Sequence, residues 1–246
     1  MKIQVLSDVH TDHHLDGGQL FVSLLDPTDI DVLVVAGDIG TRNGIAPALK
    51  MLCDKYPHVV YTPGNHEYYE RTWGHVDKVL NLATRIPNLH ILRDSSVEIN
   101  GQRFIGCTLW FPWSEACETH ALSMNDFNYI QGFVFEVYDR NSASVKYLWD
   151  NVQKGDVVVT HHMPTPKATP PRFATSPLNA FFVCNMEDLI QARSPAAWVF
   201  GHTHNNYEGQ IGETRLVCNP FGYIWGVPAN KPQENPAFDW KKVISL

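Results

Sequence analysis

Five apolar, β-branched runs in this chain, IQVLS, DVLVVA, HVVYTP, DVVVT and AAWVF, each give way to a short polar block. In order, the blocks are Asp8-Val9-His10, Gly37-Asp38, Gly64-Asn65-His66-Glu67, His161-His162 and Gly201-His202-Thr203-His204. In an open α/β sheet the carboxyl ends of the strands line the ligand crevice. Five strand ends carrying Asp, His and Asn therefore point to one polar site. Any one block alone reads as a strand-end turn satisfied by local hydrogen bonds. Five unrelated turns, however, need not share one residue chemistry.

The segments between the blocks support α/β layering. Residues 2–6, 31–36 and 58–62 read as buried strands. Ile45, Leu49, Leu52 and Cys53 recur at helical spacing, as do Val76, Val79, Leu80 and Ala83. Residues 89–108 read as short paired strands, with Asn100-Gly101 as the hairpin turn. Residues 109–140 are irregular and aromatic, an insertion that serves either the core or a wall for the apolar part of a substrate. Ser142 is expected to cap a helix with Val145, Leu148, Trp149 and Val152 on its buried face. The proline-dense stretch 164–183 has no periodicity and is expected to form a loop at the rim of the site. Asn185 caps a short helix, 196–200 forms a strand and 208–219 a further strand pair. With no repeat, low-complexity tract or linker, residues 1–246 are read as a single domain.

Charge and cysteine usage narrow the function classes. The net charge is −7 with no basic cluster, so long nucleic acid is disfavoured as a partner. Small anionic substrates remain compatible, because bound divalent cations would be the largest local charges in the site. No run has the length of apolar sequence that a membrane helix needs. A cleaved leader would remove Asp8 and His10, so a cytoplasmic protein is expected. Five cysteines without a CxxC pair read as reduced, mostly buried thiols. Oligomeric state is left open.

Asp, His and Asn are ligands for hard-to-medium metal ions, and there are enough here for two. Asp38, central in the set, is the best candidate to bridge them with its two carboxylate oxygens. Asp8 and His10 can turn toward one ion as the chain leaves the sheet, and Asn65 supplies a neutral oxygen. His202 and His204 can face one pocket while Thr203 faces away. Of the adjacent histidines, His161 is preferred as a ligand because it directly follows the strand, leaving His162 beside the site. Two ions about 3.5–4 Å apart would activate a bridging hydroxide and neutralise the oxygens of an in-line phosphoryl displacement. His66 could then donate a proton to the leaving oxygen. Asn65 and His66, with His162 and Arg172 as further candidates, are the expected substrate contacts.

The ordered pattern D-x-H, GD, GNHE, H and GHTH resembles the calcineurin-like metallophosphoesterase superfamily, over residues 3 to about 220. The resemblance implies two packed mixed β-sheets flanked by helices, an αββα sandwich. It also implies one metal on Asp8, His10, Asp38 and His204, and a second on Asp38, Asn65, His161 and His202. His66 would be the catalytic histidine, the metals Mn, Fe or Zn, and the reaction hydrolysis of a phosphomonoester or phosphodiester, of a small molecule given the acidity. Two positions depart from the common pattern. Thr41 stands where many members carry Asp or Asn, which bears on the tuning of the site, and Glu67 replaces Asp with little consequence expected. Competing readings within the same fold are a protein Ser/Thr phosphatase and a catalytically silent scaffold for protein assembly. A degenerate scaffold would be expected to lose ligands, and none is missing here.

Overall fold

The computed structural model describes residues 1–225, 228–230 and 232–246. The chain first alternates strand and helix: β1 (Lys2–Leu6), α1 (Gln19–Leu24), β2 (Val32–Ala36), α2 (Ile45–Lys55), β3 (Val59–Thr62), α3 (Trp73–Ala83) and β4 (Leu89–Ile91). It continues through β5 (Ser95–Ile99), β6 (Gln102–Cys107), α4 (Glu115–His120), α5 (Asn125–Tyr129), α6 (Phe133–Asn151) and β7 (Val157–Thr160). The remainder is α7 (Glu187–Arg193), β8 (Ala197–Phe200), β9 (Tyr207–Ile211), β10 (Thr214–Cys218) and β11 (Val243–Ser245).

These strands form two mixed sheets, ordered β11-β1-β2-β3-β4 and β5-β6-β7-β8-β10-β9. Within each, the central strands are parallel, and an antiparallel strand closes one edge of the first sheet and both edges of the second. Alternation along each strand sends side chains to opposite faces. Val32, Val34 and Ala36 of β2 meet Val157 and Val159 of β7 and Val199 of β8 between the sheets. Leu33 and Val35 instead face α2 and α3, and Val158, Trp198 and Phe200 form the core on the far side of the second sheet. The layers are thus helix, sheet, sheet, helix, as the sequence implied. Each fully buried aliphatic side chain contributes roughly 1.5–3 kcal/mol, while an exposed ion pair such as Lys50–Asp54 contributes roughly 0–1 kcal/mol. The valine-rich layer between the sheets therefore fixes how their strand ends face each other.

Several local expectations change. Residues 89–108 do not form one paired unit: β4 runs parallel to β3 at the edge of the first sheet, and only β5 and β6 make the hairpin around Asn100-Gly101. The segment 109–140 contains α4, α5 and the start of α6, which begins at Phe133 rather than at Ser142. Ser142 lies inside that helix and donates its hydroxyl to the Tyr138 carbonyl at 2.8 Å. The buried face of α6 is Phe133, Val137, Asn141, Ser144 and Leu148, and Trp149 is exposed. Polar Asn141 in the middle of that stripe hides it from a search for apolar periodicity, and its amide is satisfied by the Trp110 carbonyl and Cys184 Sγ. The aromatics of the insertion divide: Trp110, Phe111 and Phe133 are buried, whereas Trp113, Tyr129 and Phe135 are exposed. The proline-rich stretch is built of 3-10 turns at Pro166–Ala168, Pro171–Phe173 and Pro177–Phe181. All five cysteines are buried free thiols. Among the described residues no helix is long and apolar enough to cross a membrane.

The glycine of the Gly37-Asp38 block is required twice over. Its φ is +86°, and a Cβ there would lie 2.2 Å from Nδ1 of His161, which belongs to the opposite sheet. Gly37→Ala should therefore lower the unfolding free energy by about 1–3 kcal/mol in denaturant melts. Gly74→Ala, in open space on α3, should leave it unchanged or raise it by less than about 1 kcal/mol. Equal midpoints for the two variants would contradict this account of the turn.

Candidate metal centre

The polar blocks reach one another because the chain turns sharply as it leaves β1, β2 and β8. Asp8, His10, Asp38, His202 and His204 all have left-handed backbone, with φ of 52°, 48°, 55°, 70° and 48°. Such a conformation costs an L-residue roughly 1–2 kcal/mol, and Asp and His are among the types found there. Backbone links between neighbouring strand ends hold it. Asp8 N–H donates to the Gly37 carbonyl and His10 N–H to that of Asp38, both at 3.0 Å, and Gly201 N–H donates to the His161 carbonyl at 2.9 Å. His202 N–H donates to the Asp8 carboxylate at 3.0 Å, which joins the ends of the two sheets.

Glu67 fastens the same floor. Its buried carboxylate accepts from the backbone N–H groups of Asp38 (3.2 Å), Ile39 (2.7 Å) and Gly64 (2.6 Å). Burial and the neighbouring Asp38 charge push its carboxyl up to about 8. Glu67, one of the two residues that depart from the common pattern, is thus the tie that positions Asp38.

The structure brings together two groups of ligand-type side chains. Asp8, His10, Asp38 and His204 offer donor atoms all within 4.8 Å of one another, and so do Asp38, His161 and His202. Asp38 belongs to both. Its Oδ2 lies 3.7 Å from His10 Nε2 and 3.5 Å from His161 Nε2, while His204 Nε2 lies 3.4 Å from Asp8 Oδ1. Asn65 Oδ1 stands 2.9 Å from His161 Nε2, on the edge of the second group. His162 is not part of either: its Nδ1 faces the Thr108 carbonyl at 3.2 Å and its ring packs on His202 at 4.2 Å. Burial and the adjacent His161 push the His162 imidazole down to about 3.

Whether these residues suit a cation is shown by their unsatisfied atoms. His202 Nε2 is buried without a hydrogen-bond partner among the described residues, and His10 turns Nε2 into the cluster, 3.1 Å from His204 Nε2. A buried unpaired polar atom costs roughly 1–3 kcal/mol. Burial, with neighbouring imidazoles, holds His10 and His202 well below the usual histidine range, which keeps their lone pairs available. The donor set, with two carboxylates, one amide oxygen and four imidazoles, fits two borderline divalent cations.

Four further side chains at the site gave no signal in the sequence. Asp126, buried on α5, accepts from Asn65 Nδ2 and from the Tyr69 hydroxyl, each at 2.8 Å. This turns Asn65 Oδ1 toward His161. Glu234 Oε2 accepts from His204 Nδ1 at 2.7 Å and from Tyr223 N–H at 2.8 Å, leaving His204 Nε2 free to face Asp8. The Tyr223 hydroxyl lies 2.9 Å from His66 Nε2, and the His66 ring stacks on Tyr69 at 4.1 Å. Asp126 sits in the aromatic insertion and Glu234 far beyond the last block, so neither stands in a motif. Arg172 lies at the rim, with its guanidinium 4.8 Å above the Phe173 ring, and lines the cavity that contains the Asp38 cluster. That cavity has a volume of about 310 Å³.

The two-sheet fold and the strand-end clusters of Asp and His are those of the metallophosphoesterase superfamily. The chain belongs to the calcineurin-like phosphoesterase family, whose sequence profile matches residues 1–206. It is 26% identical over 257 residues to an uncharacterised protein of Acanthamoeba polyphaga mimivirus, covering 90% of this chain and 91% of that one. Among solved structures, it is similar in fold to the phosphopantetheinyl hydrolase PptH of Mycobacterium tuberculosis, with a TM-score of 0.72, 19% identity and coverage of 90% and 89% of the two chains. The Thermus thermophilus protein TT1561 is also similar, with a TM-score of 0.57, 16% identity and the same coverage.

Carboxylates that orient a ligating imidazole typically change metal affinity by about 10–100-fold. Glu234→Gln, which keeps the shape and removes the charge, should weaken Mn²⁺ binding by about tenfold in calorimetric titrations. Unchanged affinity would show that Glu234 does not orient His204 for a metal.

Proposed function

We propose that this protein is a phosphoester hydrolase working with two divalent cations, Mn, Fe or Zn. Asp8, His10, Asp38 and His204 would hold the first, and Asp38, Asn65, His161 and His202 the second. The observation that carries this reading is that one buried carboxylate, Asp38, belongs to both ligand groups. When bound, such cations supply charge neutralisation at the phosphate oxygens and a nucleophilic water at neutral pH.

The protein's own groups then set direction and protonation. His66 stands at the mouth of the ligand cluster, its Nε2 4.0 Å from Asp38 Oδ2. It is the group placed to give a proton to the departing oxygen. Tyr69 fixes the plane of its ring and the Tyr223 hydroxyl fixes the direction of Nε2. Asn65, held by Asp126, points its oxygen into the cluster and completes the second ligand group. The complete ligand set favours an enzyme over a silent scaffold of the same fold.

The test is hydrolysis of bis(p-nitrophenyl) phosphate and p-nitrophenyl phosphate by the Mn-loaded protein. Asp38→Asn should reduce activity on either ester by at least 10²–10³-fold, an order typical of losing one charge-stabilising group, and should lower bound metal. Near wild-type turnover and metal content in Asp38→Asn would sink the proposal. His66→Gln should cost about 10²–10⁴-fold on alkyl leaving groups and much less on p-nitrophenol, which departs without a proton. An equal loss on both would remove the proton-donor role of His66.

A further inference from the structure

Two more cavities adjoin the one that holds the Asp38 cluster, each sharing a different part of its lining and differing in character. On the proline-rich side is an apolar slot of about 230 Å³, walled by Met163, Pro170, Phe173, Leu178 and Phe182. Phe173, Phe182 and Thr203 line both this slot and the central cavity, and the Phe182 ring packs on His202 at 4.4 Å. The other is a cavity of about 500 Å³ with aromatic walls, Tyr69, Tyr129, Tyr223 and Trp225. His66, Tyr69, Asn125 and Tyr223 line both it and the central cavity. Among the described residues of its lining, Arg42 is paired with Glu70, and Asp12 lies 3.6 Å from His13, so this side offers planar surfaces and hydrogen-bonding groups and no free cation. Phe173 and Trp225 are each about half exposed, 46% and 60%, and stand at the two outer rims.

A phosphomonoester has one organic arm and would use one of these flanks. A phosphodiester has two. We propose that the substrate is an asymmetric phosphodiester, with a slender apolar arm in the Phe173–Phe182 slot and a planar or aromatic alcohol in the Tyr129–Trp225 cavity. This rests on the hydrolase reading given above. His66 fixes the direction of cleavage, because it is shared with the aromatic cavity and not with the slot. The oxygen of water forms a new bond to phosphorus, and the bond from phosphorus to the alcohol in the aromatic cavity breaks. The departing oxygen takes its proton from Nε2 of the His66 imidazolium, and the proton lost by the water returns the resulting neutral imidazole to the imidazolium. One water is consumed, one alcohol leaves, and the apolar arm keeps the phosphate as a monoester. At the ~30 Å³ taken up by a water-sized group, the slot accepts a chain of about six to eight atoms.

The experiment compares methyl and hexyl p-nitrophenyl phosphate, with p-nitrophenyl phosphate as the monoester, on the Mn-loaded protein. All three release the same phenol. A methylene moved fully out of water is worth up to about fourfold, so the hexyl ester should exceed the methyl ester by about thirtyfold in kcat/KM and should also exceed the monoester. Calorimetry, which needs no turnover, should show hexyl phosphate binding at least about tenfold more tightly than methyl phosphate. Phe173→Glu should abolish both preferences, while Phe173→Leu should retain them with metal content and melting temperature unchanged. Hydrolysis without dependence on arm length, or faster cleavage of the monoester, overturns the inference and leaves the hydrolase reading standing. Absence of cleavage of all three esters, with no metal bound, overturns both.

Discussion

The buried carboxylate of Asp38 is the constraint on which the site depends. One oxygen accepts the His66 backbone N–H at 2.9 Å, and the other lies within 4.0 Å of imidazole nitrogens on His10, His66 and His161. Those three histidines follow β1, β3 and β7, so a single group gathers loops from both sheets. Burial would drive this carboxyl toward its neutral form, yet the surrounding imidazoles hold it well below the usual carboxylate range. A charge so placed is stable only with compensating partners, because desolvation of an unpaired ion costs several kcal/mol. Glu67 contributes from below by tying the backbone on either side of Asp38 to the turn after β3.

This floor is strained, and the sheets bear the strain. Five ligand-type residues occupy left-handed backbone, each at roughly 1–2 kcal/mol. The valine layer between the sheets leaves the strand ends no freedom to relax, because sliding one sheet past the other would expose side chains such as Val34 and Val159. The inter-strand links at Asp8, His10 and Gly201 then extend the ladder into the turns. Strand-end turns thus become a rigid set of donors, in keeping with a site organised before any ligand arrives.

How much of this was legible in the sequence follows from where the information sits. Asp8, His10, Asp38, His202 and His204 directly follow apolar runs, so their convergence was readable from spacing and residue type. The order of the blocks also carried the two-sheet architecture. What lay hidden has a physical reason in each case. Asp126 and Glu234 act through hydrogen bonds made across the fold, to Asn65 and His204, and no local pattern encodes such a partner. The start of α6 was masked by Asn141, a buried polar residue satisfied by a distant carbonyl. Glu67 looked like a neutral replacement, yet its side chain reaches three backbone N–H groups at once.

Around this rigid floor the walls are made by segments of a different kind, the aromatic insertion and the proline-rich turns. In the proposed reaction, chemistry and selectivity would be divided between the strand ends and the loops that overhang them. The proposed centre requires Asp38 to be a ligand shared by two cations. Anomalous diffraction from crystals soaked in Mn²⁺ measures this directly. Two peaks about 3.5–4 Å apart, both in contact with the Asp38 carboxylate on the side of Oδ2, are expected. A single peak, or none in contact with Asp38, would contradict the proposed centre.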